Sequence, residues 1–212
     1  MLQKAVTLLK KHFGYHSFKA GQEQIIGSIL QGHDTVGIMP TGGGKSICYQ
    51  IPALLSGTTL VISPLISLMK DQVEALRSLG IPAAFINSSL DYRELFAVLA
   101  QARQGKFKII YIAPERLESE QFTDMVNELE ITLLAVDEAH CVSQWGHDFR
   151  PAYLAISPFV KKLNRRPVVS AFTATATTEV TRDIVNQLAL DGPNVFITGF
   201  DRANLFFAVV NG

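Results

Sequence analysis

A lysine and a serine follow a glycine-rich run in the first quarter of the sequence, in the order that a phosphate-binding loop requires. Residues 39–46 read MPTGGGKS and lie between an apolar segment and one with helical periodicity. Glycines let the backbone curl so that several N–H groups face one anion, and a helix N-terminus adds a favourable dipole. We expect Lys45 to reach the β- and γ-phosphates of a nucleotide and Ser46 to hold Mg²⁺. The other residues expected to surround the phosphates are Thr41, Gly42, Gly43 and Gly44.

Two adjacent carboxylates follow a later apolar segment, residues 131–136, where the tetrapeptide DEAH occupies positions 137–140. We expect Asp137 to hold Mg²⁺ through its water shell and Glu138 to polarise the attacking water. His140 completes the candidate catalytic set with these two carboxylates and Lys45. Acidic residues that end a strand can also be solvated caps, but together with the glycine-rich loop they predict an ATPase site. At Met39 the loop departs from the usual pattern, which has glycine there.

The elements that position these residues alternate between strands and helices. Strands that are apolar throughout suit a parallel sheet covered on both faces, and strict alternation predicts an α/β doubly wound fold. In such folds ligands bind at the carboxyl ends of the strands, which is where the unusual residues occur. The predicted strands are 35–39, 58–62, 83–86, 108–112, 133–136, 168–172 and 195–197. The predicted helices are 3–12, 21–31, 46–54, 65–79, 91–104, 119–129, 152–163 and 177–190.

Composition narrows the class of protein. With 48% hydrophobic and 18% charged residues, the 212-residue chain has the composition of an ordinary globular protein and shows no membrane span. Nineteen basic residues balance nineteen acidic ones, which argues against nucleic-acid binding through bulk charge and leaves that role to specific loops. Cys48 and Cys141 belong to no CxxC pair, so we expect neither zinc nor a disulfide, and both are expected to be packed as small hydrophobes.

The glycine-rich loop and the DEAH tetrapeptide are shared by superfamily 2 helicases, and residues 13–22, FGYHSFKAGQ, resemble the motif that RecQ helicases place before the P-loop. The resemblance implies that Tyr15 stacks on adenine, that Gln22 hydrogen-bonds the edge of the base, and that Lys19 borders the nucleotide. A glutamine amide offers the donor and the acceptor that match adenine. The alternative is a helix N-terminus with an aromatic packing residue. The resemblance also implies a RecA-like P-loop NTPase domain with a mostly parallel doubly wound sheet and helices on both faces.

Three further segments resemble motifs of the same family and follow the second, third and fourth predicted strands. They read SPLISLMKDQ at 63–72, NSS at 87–89 and APERL at 113–117. Hydroxyls, helix N-termini and single basic groups suit contacts to DNA phosphates without base reading. Each residue alone can equally be a helix cap or an exposed polar residue. The candidate phosphate contacts are Ser63, Lys70, Asn87 and Arg116.

The segment after DEAH, CVSQWGHDFRP at 141–151, resembles the aromatic-rich loop of RecQ helicases and holds the chain's one tryptophan. Aromatic side chains in it could stack on unpaired bases without sequence preference. The alternative is a hydrophobic plug beneath a long loop. Because the loop adjoins Glu138, DNA bound there could reposition the catalytic carboxylate. The candidate coupling residues are Trp145, His147, Phe149 and Arg150.

Residues 171–176, AFTATA, resemble motif III, so Thr173 and Thr175 are expected to hydrogen-bond the DEAH carboxylates or their waters. Residues 201–205, DRANL, resemble the segment that leads out of the first motor domain. We therefore interpret the chain as one RecA-like domain: N-terminal helices over 1–33, a P-loop core over 34–205, and an exit over 206–212. The resemblance implies a second RecA-like domain in the same polypeptide, with an arginine that completes the γ-phosphate site. It also implies that the chain alone binds nucleotide but does not unwind DNA.

The function that the resemblance implies is an ATP- and Mg²⁺-dependent 3′-to-5′ DNA helicase acting on single-stranded and duplex-junction DNA. Two alternatives stay open: an RNA helicase or remodeller, and a nucleotide-binding module without turnover. The N-terminus lacks the apolar core of a signal peptide, so we expect a cytoplasmic, nucleoid-associated or nuclear protein that is not secreted.

Overall fold

Seven strands form one sheet in which every pair is parallel. The structure, a computed structural model, describes residues 1–146 and 148–198. The predicted strands match the observed ones within two residues, because uninterrupted apolar runs suit strands that are buried on both faces. The strands are β1 Thr35–Ile38, β2 Thr58–Ile62, β3 Ala83–Ile86, β4 Ile109–Ile112, β5 Ile131–Val136, β6 Val168–Thr173 and β7 Asn194–Ile197.

The order of the strands, β3-β4-β2-β5-β6-β1-β7, separates two groups of motifs. Because the strands are parallel, all their carboxyl ends lie along one edge of the sheet. The phosphate loop, DEAH and motif III follow β1, β5 and β6, which are neighbours in one half. The three segments expected to contact DNA follow β2, β4 and β3, which are neighbours in the other half. The topology therefore places the nucleotide motifs and the DNA motifs side by side on one edge.

Eight α-helices cover the sheet within the described ranges, together with short 3₁₀ segments and one π-helical turn. The α-helices are α1 Leu2–Leu8, α2 Gln22–Leu30, α3 Lys45–Leu55, α4 Ile66–Ser78, α5 Tyr92–Arg103, α6 Glu120–Val126, α7 Ile156–Lys162 and α8 Thr178–Gln187. The π-helical turn is Leu9–Phe13, and the 3₁₀ segments are Pro114–Glu118, Ala139–Val142 and Pro151–Ala155. None of these helices combines the length and the apolar character needed to cross a bilayer.

Both faces of the sheet are buried, which confirms the doubly wound prediction. Alternate residues of β5 divide between two clusters, since Leu134 and Val136 pack with α5 to α8, and Leu133 and Ala135 pack with α2 to α4. A third, smaller cluster joins α1 to α2 and α3. The sheet is therefore the middle of three layers. The edge formed by the carboxyl ends of its strands is where ligands bind in folds of this kind.

Three predicted helices are shorter than expected, among them 177–190, which is α8, Thr178–Gln187. The predicted helix 119–129 is α6, Glu120–Val126, and the predicted helix 152–163 begins as the 3₁₀ segment before α7. Pro151 opens that segment, and Pro158 lies in the first turn of α7. Proline donates no backbone hydrogen bond and is favoured in the first turn of a helix, where the N–H would be unpaired anyway. The prolines therefore place the start of α7 later than the apolar periodicity suggests.

A buried carboxylate joins three strands at the opposite edge of the sheet. The side chain of Asp34, which precedes β1, is only 2% exposed. Its Oδ1 accepts from the backbone N–H of Val169 at 2.8 Å, and its Oδ2 accepts from that of Asp191 at 2.8 Å. The guanidinium of Arg166 pairs with both carboxylate oxygens. Asp34 thus ties the starts of β1 and β6 to the loop before β7.

Candidate functional site

The phosphate loop has the backbone geometry that its glycines predict. Gly42 has φ 78° and Gly44 has φ 82°, both in the left-handed region that favours glycine. A Cβ at Gly43 would lie 2.8 Å from the carbonyl oxygen of Pro40, and one at Gly44 would collide with the amide of Gln22. Helix α3 begins at Lys45, directly after the loop. The loop therefore leads into a helix N-terminus, the arrangement that binds phosphate.

Met39, where the usual pattern has glycine, belongs to the core. Its side chain is 2% exposed, and its sulfur lies 3.7 Å from the Cys48 thiol. Its carbonyl oxygen accepts from the Lys45 ammonium at 3.3 Å. The departure from the pattern adds packing beneath the loop and leaves the glycines that line the cavity unchanged. Cys48 is buried, as predicted.

A cavity of about 320 Å³ brings the predicted adenine-binding residues to the phosphate loop. Its lining includes Tyr15, Lys19, Gln22, Lys45 and Ser46. Tyr15 is 56% exposed, so its ring is available to stack against a base, and the alternative of a packed aromatic residue is disfavoured. The size and the mixed aromatic and basic lining suit a nucleotide.

The Gln22 amide is used differently from the sequence prediction. It is 3% exposed, its Oε1 accepts from the backbone N–H of Lys19 at 2.8 Å, and its Nε2 donates to the Gly44 carbonyl at 3.1 Å. The Lys19 ammonium donates to the Gly42 carbonyl at 3.1 Å. Both residues therefore hold the phosphate loop against the segment before α2. Their contact with an adenine edge stays a prediction, and for Gln22 it requires the amide to exchange these bonds.

Asp137 and Ser46 have the donor chemistry that Mg²⁺ prefers, a carboxylate and a hydroxyl. Burial raises the pKa of the Tyr49 phenol, the charges of Tyr111 and Asp137 raise it further, and a hydrogen bond from Ser46 opposes the rise. The two candidate ligands therefore both act on one buried side chain. Burial, and secondarily the charge of Glu138, raises the pKa of Asp137 from 3.8 to about 6, and nearby Lys45 opposes the rise. A divalent cation would relieve this unfavourable burial of negative charge.

We expect Asp137→Asn to stabilise the chain against urea at pH 7 in Mg²⁺-free buffer and to have little effect at pH 4. Because the pKa of Asp137 is about 6 in the folded chain against 3.8 when unperturbed, the folded state binds more protons between these values. Its stability therefore falls as pH rises through that range, and asparagine has no charge to desolvate. The expected gain at pH 7 is about 1–3 kcal/mol.

The matched control for this prediction is Asp124→Asn on the exposed side of α6, which should shift the urea midpoint equally little at both pH values. Equal free energies of unfolding for wild type and Asp137→Asn at pH 7 would show that the Asp137 carboxylate is well solvated and would contradict the prediction.

Glu138 is held in an unusual backbone conformation beside His140. Its φ is 46°, in the left-handed region that non-glycine residues rarely adopt. Its Oε2 lies 3.4 Å from His140 Nδ1, which also lies 2.9 Å from Thr173 Oγ1. Because the Thr173 hydroxyl donates to the Thr175 carbonyl at 3.0 Å, it accepts from His140 Nδ1. Motif III thus reaches the glutamate through His140, and contact of the Thr173 hydroxyl with the DEAH carboxylates or their waters stays a prediction. Thr175 is exposed and contributes its backbone carbonyl.

The aromatic-rich loop is anchored at its start and exposed at its centre. Ser143 is fully buried, and its hydroxyl donates to Asp183 of α8 at 2.7 Å and accepts from the Trp145 backbone N–H at 3.2 Å. The Trp145 side chain is 80% exposed, and Phe149 is half-buried. An anchored loop with an exposed indole fits base stacking and does not fit a hydrophobic plug. His147 lies outside the described residues, as does the predicted exit segment at 201–205.

Arg150 and Tyr153 connect this loop to both halves of the site. The Arg150 guanidinium donates to the Pro64 carbonyl at 2.9 Å and pairs with Asp148 at 3.0 Å. The Tyr153 hydroxyl donates to the Asp137 backbone carbonyl at 2.9 Å, and the residue is fully buried. Sequence analysis identified Arg150 but not Tyr153. The one sequence feature that could have indicated Tyr153 is its position shortly after the loop.

The four candidate phosphate contacts differ in their exposure. Lys70 is exposed, with its ammonium 5.9 Å from the centre of the Phe85 ring. The Arg116 guanidinium donates to the backbone carbonyls of Asn87 at 2.9 Å and Leu90 at 2.8 Å. Ser63 and Asn87 are buried at 1% and 0% exposure. Direct phosphate contact stays a prediction for all four, and the alternative of an exposed polar residue does not hold for Ser63 and Asn87.

The Asn87 side chain is turned inward because it caps the loop that follows β3. Its Oδ1 accepts from the backbone N–H of Ser89 at 3.0 Å and from the Ser89 hydroxyl at 2.8 Å. Its Nδ2 is buried and has no hydrogen-bond partner within residues 1–146 and 148–198. The residue therefore shapes the turn after β3, and its amide nitrogen is the group left to donate.

His140, Cys141 and Asp148 place ligand atoms within 4.8 Å of one another, a grouping that sequence spacing did not suggest. The Asp148 carboxylate is paired with Arg150, which lowers the pKa of that carboxyl. Burial raises the pKa of the Cys141 thiol to about 12. Metal binding requires the thiolate, so this environment disfavours zinc. The expectation that the chain holds no zinc stays a prediction.

A model of the DEAD/DEAH box helicase family matches residues 19–184, which include the phosphate loop, DEAH and motif III. The chain belongs to this helicase family. It is 52% identical to an ATP-dependent DNA helicase RecQ from Bacillus subtilis, over all of this chain and 36% of that protein. It is 45% identical to the RecQ helicase of Pasteurella multocida, over 98% of this chain and 33% of that protein. The resemblance to RecQ helicases is confirmed, and the chain spans about a third of the length of these relatives.

Solved helicase structures share the fold. A structure of the DUF1998 helicase MrfA bound to DNA aligns with a TM-score of 0.72 at 17% identity, over 91% of this chain and 29% of that one. The DEAD-box helicase Mss116, bound to ssRNA and UDP-BeF, aligns with a TM-score of 0.68 at 18% identity, over 92% of this chain and 42% of that one. These likenesses confirm the RecA-like helicase fold.

Proposed function

We propose that this helicase-family chain is the ATP-binding, N-terminal motor domain of a 3′-to-5′ DNA helicase. The observation that carries the proposal is the arrangement of one sheet edge: the phosphate loop and DEAH follow β1 and β5, which flank β6, and the exposed Trp145 loop continues directly from DEAH. A nucleotide site and a base-stacking surface therefore share one short segment. The relatives named DNA helicases, at 45–52% identity, support the choice of nucleic acid.

ATP and Mg²⁺ are the ligands that the site fits. Lys45 would neutralise the β- and γ-phosphates, and Ser46 and Asp137 would hold the cation, which polarises the γ-phosphate when bound. Glu138 would orient and deprotonate the attacking water, and His140 Nδ1, 3.4 Å from its Oε2, would help to hold the carboxylate in position. Tyr15 would cover the adenine ring.

Single-stranded DNA and duplex junctions are the proposed nucleic-acid partners. With 19 basic and 19 acidic residues, the chain has no excess charge to attract DNA as a whole. Stacking on Trp145 would contribute about 1–3 kcal/mol per base, and Lys70 adds one exposed cation on the same edge. The protein is thus expected to bind unpaired strands without sequence preference, in the nucleoid or the nucleus.

A second RecA-like domain of the same polypeptide is the proposed protein partner. An arginine finger supplied by such a domain is worth about 10³–10⁵ in rate. Residues 1–212 by themselves are therefore expected to bind nucleotide, to hydrolyse it close to background, and not to unwind DNA. The DEAD-box helicase bound to ssRNA is 18% identical to this chain, against 45–52% for the relatives named DNA helicases, and a module without turnover would not need Glu138, so both alternatives are disfavoured.

The experiment that tests the proposal compares ATP turnover by the full-length protein and by residues 1–212, with and without single-stranded DNA. We expect DNA to stimulate the full-length protein strongly and single-stranded RNA of the same length to stimulate it weakly. Lys45→Ala should abolish turnover because it removes the phosphate-neutralising charge. Trp145→Ala should keep nucleotide binding, measured with a fluorescent ATP analogue, but lose most of the stimulation by DNA.

Several outcomes would contradict parts of the proposal. Robust, DNA-stimulated turnover by residues 1–212, abolished by Lys45→Ala, would show that this domain supplies its own finger. Unchanged stimulation in Trp145→Ala would remove the aromatic-rich loop from the coupling. Stronger stimulation by RNA than by DNA would favour the RNA helicase alternative.

A further inference from the structure

The peptide unit that joins Asp137 to Glu138 is held by hydrogen bonds on both of its sides. Its carbonyl oxygen accepts from the Tyr153 hydroxyl at 2.9 Å. Its N–H, which belongs to Glu138, donates to Asp137 Oδ1 at 3.0 Å. A peptide unit is planar, so fixing its two polar groups fixes its rotation about the chain. Only the bond from Tyr153 comes from outside the two residues.

The rotation of this peptide determines where the Glu138 carboxylate lies. Glu138 has φ 46°, a conformation in which a non-glycine residue is strained and which persists only where its surroundings impose it. Rotating the preceding peptide would let φ return to negative values and would swing the side chain away from His140. The Tyr153 hydroxyl is the group that opposes this rotation, because it holds the carbonyl oxygen in its present direction.

Tyr153 is itself tied to the loop and to the DNA half of the edge. Its backbone N–H donates to the Arg150 carbonyl at 2.9 Å. The Arg150 guanidinium donates to the Pro64 carbonyl, also at 2.9 Å, directly before the segment that leads into α4. The Arg150 N–H donates to the Cys141 carbonyl at 2.9 Å, which closes the aromatic-rich loop. A displacement of this loop would therefore be passed to Tyr153.

We propose that Tyr153 is a positioning residue that, through its hydroxyl, holds the Asp137–Glu138 peptide in the orientation that aims the Glu138 carboxylate. The inference rests on the proposed function and deepens it, because it names the contact by which the aromatic-rich loop acts on the catalytic glutamate. Tyr153 is fully buried and its hydroxyl is bonded to the Asp137 carbonyl, so its effect is exerted through the peptide.

The substitution that tests this role is Tyr153→Phe in the full-length protein, which removes the hydroxyl and keeps the ring. Tyr111→Phe is the matched control: Tyr111 is similarly buried, and its hydroxyl bonds the side chains of Gln50 at 3.3 Å and Tyr49 at 3.4 Å, not a backbone group of DEAH. We expect Tyr153→Phe to lower the DNA-stimulated kcat about 10–100-fold, the range found when residues that orient active-site ligands are replaced. The KM for ATP should stay within about twofold, and the control should retain most of its kcat.

A second measurement reports directly on the Asp137–Glu138 peptide unit and does not depend on catalysis. In residues 1–212, Tyr153→Phe should increase the hydrogen-exchange rate of the Glu138 amide at least about tenfold, because loss of a buried hydrogen bond opens the segment locally. Tyr111→Phe should leave that rate unchanged. In Tyr153→Phe, Asp137 keeps its carboxylate. We therefore do not expect an added cation to restore kcat in this variant.

The outcomes separate this inference from the proposed function. An unchanged kcat in Tyr153→Phe, an equal loss in Tyr111→Phe, or a loss of kcat accompanied by an equal loss of thermal stability would overturn the positioning role. If the wild-type protein hydrolyses no ATP, the proposed function fails. The exchange rate of Glu138 then still decides whether Tyr153 holds the peptide.

Discussion

Glu138→Gln in the full-length protein is expected to lower ATP turnover about 10²–10⁴-fold and to leave nucleotide affinity nearly unchanged, because a general base contributes that much to rate and little to binding. Glutamine keeps the size of the side chain and its contact with His140 but cannot accept a proton. The affinity should persist because the phosphate loop, Tyr15 and Asp137 are untouched. Single-turnover hydrolysis and equilibrium binding of a fluorescent ATP analogue would measure the two quantities separately.

Glu120→Gln is the matched control for this substitution, since that glutamate lies on α6 with its side chain 85% exposed. It should change neither quantity. Turnover by Glu138→Gln within about threefold of wild type would assign the base to another group. Parallel losses of turnover and of affinity would instead mean that Glu138 supports the fold of the loop.

Asp34→Ala is expected to destabilise the domain by about 2–5 kcal/mol, because a buried backbone N–H left without an acceptor costs about 1–3 kcal/mol and the substitution leaves two of them, at Val169 and Asp191. The Asp34 side chain is 2% exposed, whereas that of Arg166 is 42% exposed, so water can replace the carboxylate at the guanidinium. The free energy of unfolding in urea would measure the loss. Nucleotide affinity well below the unfolding midpoint should not change, because Asp34 lies at the edge of the sheet opposite the phosphate loop.

An exposed ion pair provides the control. Glu120 pairs with Lys162 at 3.3 Å, and their side chains are 85% and 54% exposed, so Glu120→Ala should cost at most about 1 kcal/mol. A loss of less than 1 kcal/mol for Asp34→Ala would mean that water replaces the carboxylate at Val169 and Asp191.

The sheet and the nucleotide site could be predicted because each depends on short-range patterns. Seven apolar runs gave the strands within two residues, since a strand buried on both faces shows no alternation to obscure it. Lys45, Ser46 and DEAH indicate a nucleotide site only where they follow a strand and precede a helix or loop. That context is itself visible in the sequence. The helix boundaries were less certain, because the 3₁₀ turn at 151–155 shares the apolar periodicity of α7.

The contacts between distant segments could not be predicted. Asp34 and Arg166 are 132 residues apart and were ordinary surface charges in the sequence. Asn87 and Ser63 have the polar types of surface residues, and only the fold shows that their backbones turn them inward. Tyr153 was one aromatic residue among many apolar ones, and its hydroxyl gained a role only when the loop brought it to the Asp137 carbonyl.

The strand order also has a consequence for how the chain folds. β1 pairs only with β6 and β7, whereas β2, β3, β4 and β5 pair among themselves. Thr35 of β1 pairs with Ser170 of β6 and with Asn194 of β7, which are 135 and 159 residues further along the chain. Because these partners are so distant in sequence, we expect their contacts to be the slowest to form. During synthesis we therefore expect the segment carrying the phosphate loop to have no strand partner until β6 has left the ribosome. Because β6 also pairs with β5, its docking brings the strands before Lys45 and Asp137 into one sheet, so we expect the proposed nucleotide site to be completed late in folding.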